Sequence, residues 1–99
     1  MSITEITDSY RRYLLLEKGL SKNSIDAYMR DLQKLIDFAE EEQLSLKTIE
    51  LSNIETLLAQ QFDKEISSRS ISRIISGLKS FFGFIVLYEY RKDNPTELL

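Results

Sequence analysis

Between Ile66 and Tyr88 the chain has no aspartate or glutamate, while Arg69, Ser72, Arg73, Ser76, Lys79 and Ser80 recur at three- and four-residue intervals. At about 100° per residue, Arg69, Ser72, Arg73, Ser76 and Ser80 share one helical face, with Gly77 and Lys79 on its flanks. Guanidinium forks and hydroxyls suit phosphate oxygens, and small side chains let a backbone come close. A solvated helix face normally mixes both signs to gain i,i+4 pairs. This face has one sign only, and the chemistry it suits is non-covalent binding of an anion.

A second stripe repeats the pattern. Asn23, Ala27, Arg30 and Lys34, with Lys22 beside them, lie opposite the apolar positions Ile25, Tyr28, Met29, Leu32, Leu35, Ile36 and Ala39. The same face turns acidic at Asp37 and Glu41, as a footprint with an edge would. Taken alone, this stripe is better read as an ordinary charged face in which Asp26 pairs with Arg30. Two such faces in one small chain favour a shared anionic partner. Arg30 and Arg73 both lie opposite apolar stripes, so reversing either is expected to leave stability within a few tenths of a kcal/mol. Gly77 and Gly83 each cost a helix about 1 kcal/mol relative to alanine. Two readings of them stay open, close approach of a partner or tight packing between helices.

Other chemistry is largely excluded. The sequence has no histidine and no cysteine, which removes imidazole and thiolate ligands, disulfides and the common nucleophile–base pairs. Asp26, Asp31 and Asp37 do not share a face, so neither a metal site nor a cofactor is expected. Tyr10, Tyr13 and Tyr28 stand at core spacing and read as packing residues. The net charge of −3 argues at first against a polyanion, but the acidity is concentrated in residues 35–65. Residues 66–92 carry Arg69, Arg73, Lys79, Arg91 and Lys92 against Glu89 alone. Local fields, not the total, decide where a polyanion docks.

The elements that must position these stripes are helices. With 99 residues, 42% of them hydrophobic, the chain suits one domain with one core. Three glycines and one proline disfavour turn-rich β folds and glycine-rich phosphate loops. Periodicity and caps predict helices over about Ile3 to Lys18, about Lys22 to Glu42, a short third opened by a Ser52/Glu55 capping box, and about Ser68 to Tyr90. Gly19 closes the first, Ser21 caps the second, and Asn94-Pro95 ends helical structure. No apolar run approaches the roughly 20 residues of a membrane span, and no leader is apparent. The expectation is an all-α, soluble, cytoplasmic domain without a membrane partner.

Two stretches carry a resemblance. Leu16-Glu17-Lys18-Gly19-Leu20-Ser21-Lys22-Asn23-Ser24-Ile25, followed by Tyr28, Arg30, Asp31, Leu32 and Phe38, resembles the opening of bacterial tyrosine recombinases of the XerC/XerD type. So does Ser70-Ile71-Ser72-Arg73-Ile74-Ile75-Ser76-Gly77-Leu78-Lys79-Ser80-Phe81-Phe82 with the closing Asp93-Asn94-Pro95. The likeness runs over essentially the whole chain. It implies the SAM-like amino-terminal fold of the phage integrases, a four-helix bundle of two helical hairpins. Residues 1–93 would form the core-binding, DNA-binding domain and residues 94–99 the start of an interdomain linker.

The resemblance further implies half of a clamp around double-stranded DNA, with the second and fourth helices toward the major groove and flanking phosphates during integration or recombination. The family's DNA-facing positions carry over to Asn23, Ser24, Arg30, Arg73, Ser76 and Lys79. Ser24 replaces the usual threonine and Lys79 the common arginine, which loses a bidentate fork. Lys22, Lys34, Arg69, Ser72 and Ser80 complete the candidate DNA-binding set from the stripes alone. The family's catalytic tyrosine and its phosphate-binding cluster belong to a carboxy-terminal domain, so this chain reads as a non-catalytic part of such an enzyme. Its further partners would be that catalytic domain and other recombinase protomers in a synaptic complex, with chromosome partition among the possible roles. A helical protein-interaction module, docking through the acidic middle or the third helix, is the competing reading. A free-standing regulator is a third.

Overall fold

In the computed structural model, which describes residues 2–99, serines open three of the four helices. Ser2, Ser21 and Ser67 accept hydrogen bonds on their hydroxyls from the amides of Glu5, Ser24 and Ser70, satisfying a donor that each helix would otherwise leave unpaired. The helices are α1 (Ile3–Leu16), α2 (Lys22–Glu41), α3 (Leu51–Asp63) and α4 (Ser68–Leu87). Among the described residues there is no strand.

The start of α3 departs from expectation. Glu50 is its N-cap, and the Glu50 amide donates to Asn53 Oδ1 at 2.8 Å. Ser52 is already inside the helix, its carbonyl accepting from the Thr56 hydroxyl at 3.0 Å. Ile49, fully buried, anchors the incoming chain and sets where the helix begins. The far end of α4 also comes early, at Leu87 instead of Tyr90. There the Tyr90 amide donates to the Ile85 carbonyl and the Glu89 amide to that of Val86, a Schellman closure with Glu89 in left-handed geometry at φ 62°. Gln43 closes α2 in the same way. Gly19, at φ 62°, follows the end of α1, where φ above zero costs glycine nothing.

α1 pairs with α2 and α3 with α4, and the two hairpins meet mainly where α2 lies along α4. The core joins Ile6, Tyr10 and Leu14 of α1 to Leu32 and Leu35 of α2, Ile54 and Leu57 of α3, and Ile74, Leu78, Phe81 and Phe82 of α4. α4 is long and apolar enough to cross a membrane by length and composition, contrary to the expectation that no such run exists. Its apolar side is instead the centre of this core, and Arg69, Arg73 and Lys79 project from the rest. Beyond α4 the chain folds back. Arg91 is buried, donates to the Leu46 carbonyl at 3.1 Å and forks onto Asp93, and Pro95 and Thr96 are buried behind it.

Candidate nucleic-acid interface

Asp31 is the most buried charged side chain described, 1% exposed at the seam between α2 and α4. Three charge-assisted hydrogen bonds keep its carboxylate there. Arg73 donates from Nε to Oδ2 at 2.8 Å and from Nη2 to Oδ1 at 3.1 Å, and Lys34 donates from Nζ to Oδ1 at 3.2 Å. The two bonds from Arg73 also raise the pKa of its guanidinium. One turn along α4, Gly77 is buried, and a Cβ built on it would lie 3.9 Å from that of Asp31. Gly77 therefore faces α2, with room for a methyl group in ordinary contact. Gly83 faces open space, with nothing within 4 Å of such a Cβ.

The expectation that Arg73 stands free on the face opposite the core is corrected here. α4 is covered by neighbours on more than one side, so a residue flanking its apolar stripe meets α2 instead of solvent. Ser80 is drawn inward in the same way. It accepts from the Tyr10 hydroxyl of α1 at 2.9 Å, and burial pushes the pKa of that phenol up to about 12. Arg69, Ser72, Ser76 and Lys79 remain exposed along α4.

On α2, Lys22, Asn23, Ser24 and Arg30 are exposed, and Lys34 is half-buried over the seam. Asp26 pairs with Arg11 of α1 at 3.7 Å, not with Arg30. Arg30 lies beside this pair, with Met29 and Gln33, toward the α1 side. The structure thus unites Arg73 and Lys34 through one acid and leaves Arg30 apart from them. Among the described residues, Arg30, Arg69 and Lys79 form no ion pair. Neither α2 nor α4 has an acidic residue in its first turn, so the positive end of each helix dipole is left uncompensated. No group of three carboxylates gathers among the described residues. The arrangement can hold an anion along the α2–α4 seam and, among the described residues, offers no nucleophile–base pair.

Asp31 itself was legible only as an acid unsuited to a metal site. Its position on α2, close to Leu35 and Phe38 on the wheel with Lys34 three residues on, marks it as an acid at the edge of the core, and that was the available signal.

An all-α domain of two hairpins, with two cations gathered on one buried acid at their seam, defines a class of small helical domain. Residues 7–88 match the family model for the phage integrase, N-terminal SAM-like domain, and the chain belongs to that family. It is 39% identical over 95 residues to the tyrosine recombinase XerD of Staphylococcus aureus and 37% identical over 95 residues to that of Staphylococcus saprophyticus. Each alignment covers 95% of this chain and 32% of the relative, so the chain spans about a third of the length of the curated relatives it matches. The match is to the amino-terminal domain of these recombinases and not to the catalytic one.

Proposed function

We propose that this domain binds duplex DNA without sequence-reading chemistry of its own beyond a modest preference, as the DNA-holding part of a site-specific tyrosine recombinase acting in the cytoplasm. The observation that carries the reading is the pair of basic faces on α2 and α4, joined at Asp31, with Arg30, Arg69 and Lys79 on the same two helices forming no ion pair among the described residues. Lys22, Asn23, Ser24, Ser72 and Ser76 add donors along the same two helices. Most such contacts go to phosphates, which position a duplex and carry most of the affinity. Strand cleavage is the work of the parent enzyme's catalytic domain. That domain and neighbouring protomers are the protein partners we propose, and the exposed Leu16 at the end of α1 and Tyr88 just past α4 offer them apolar surface.

The test is a titration of labelled duplex with the 99-residue chain at several salt concentrations. With roughly three to six phosphates neutralised, log K should fall against log[salt] with a slope of about −3 to −5. Binding indifferent to salt, or no binding at low salt, would overturn the reading and favour a protein-interaction module.

A further inference from the structure

We propose that Asp31 is a positioning residue for DNA contact: it grips the Nε and Nη2 edge of Arg73 and the ammonium of Lys34, so that both cations meet one phosphate in a set geometry. The inference rests on the DNA-binding reading above and adds to it the residue that orders the contact.

The geometry separates the roles of the three side chains. Asp31 is 1% exposed, while Arg73 and Lys34 are 37% and 34% exposed, so the acid is sealed beneath its partners and the cations form the surface. Arg73 uses Nε and Nη2 on the carboxylate, and Nη1 has no hydrogen-bond partner among the described residues. Arg73 Nη2 and Lys34 Nζ bond the same oxygen, at 3.1 and 3.2 Å, which caps their separation at the sum of the two. Two donors that close suit the oxygens of a single phosphate. A buried ion pair is in itself weak evidence of added stability, because an apolar replacement often serves as well. What an apolar replacement cannot do is hold a guanidinium by one edge. Gly77 of α4 lies over the Asp31 side chain, where a Cβ would stand 3.9 Å from that of Asp31.

The sign of one substitution distinguishes positioning from simple attraction. Asp31→Asn removes a negative charge from beneath a basic surface, so point-charge attraction predicts tighter binding of DNA. Positioning predicts the opposite: at a temperature where circular dichroism shows the variant folded, affinity falls at least tenfold. Arg73→Lys keeps the charge and loses the fork, and should lower affinity by a similar factor. In the Asp31→Asn background it should cost little more, because the two changes break one unit. An Asp31→Asn variant that binds as tightly as the native chain, or more tightly, overturns the proposal while leaving the DNA reading in place. Loss of salt-dependent binding by the native chain overturns both. Should Asp31→Asn fail to fold, the native chain carries the test by NMR. The Arg73 Nε–H signal should stay protected from exchange with DNA bound, and its release to solvent on binding overturns the proposal.

Discussion

Arg30 and Arg73 both read from sequence as lying opposite the apolar stripes of their helices, and what separates them in the fold is the neighbour each one meets. Arg30 forms no ion pair among the described residues, so Arg30→Glu should change stability by only a few tenths of a kcal/mol while lowering DNA affinity at least tenfold. Arg73→Glu sets a second carboxylate against buried Asp31 and leaves it Lys34 alone, which should cost about 2–4 kcal/mol as well as affinity. Melting temperature measured beside a DNA titration separates the two, and equal melting points would contradict the seam. Tyr10 supplies a pH dependence. Its phenol ionises near 10 when unfolded and at about 12 in the fold. Below pH 10 the full stability is present. Between pH 10 and 12 the unfolded form gains by ionising while the folded form cannot, so up to about 2–3 kcal/mol is lost. Urea titrations at pH 9 and near pH 11.5 should show a smaller alkaline loss in Tyr10→Phe than in the native chain.

At the scale of the element, helix starts and helix ends were unequally legible. Ser21 and Ser67 cap α2 and α4 as their sequence positions suggest, because a hydroxyl accepting from an amide three residues on is a local interaction. The ends of α2 and α4 close on Gln43 and Glu89, which carry no glycine signal, and so α4 reads longer than it is. A side chain in left-handed geometry costs about 1–2 kcal/mol, part of which glycine gives back as entropy in the unfolded chain. Glu89→Gly should therefore stabilise the domain by about 0.5–1 kcal/mol and raise the melting temperature by a few degrees. A lower melting temperature would mean that the Glu89 side chain contributes a contact of its own.

For the whole molecule, the central position of α4 makes its apolar residues the most sensitive. Phe82 and Leu78 are essentially inaccessible, and either change to alanine should cost roughly 2–5 kcal/mol, read from chemical denaturation. Charge reversal at Lys47 or Lys64, in the acidic middle of the chain, should leave DNA affinity nearly unchanged. If either matters as much as Arg30, the attraction is diffuse and the α2–α4 seam is not its seat.

Composition and periodicity by themselves determined the class of the fold, the number of helices and most of the core, since burial of an amphipathic stripe follows from spacing along one helix. They also determined that α2 and α4 bear the basic faces. Only the tertiary structure decided which members of those faces are free. A helical wheel describes one helix against an undifferentiated core, whereas one flank of α4 meets α2 at one level and α1 further along. Arg73, Gly77 and Ser80 fall on that flank and meet Asp31, the α2 surface and Tyr10, while Arg69, Ser72, Ser76 and Lys79 are left to solvent. The carboxylate that joins the two faces lies 42 residues from its arginine in sequence, and no pattern local to either helix connects them.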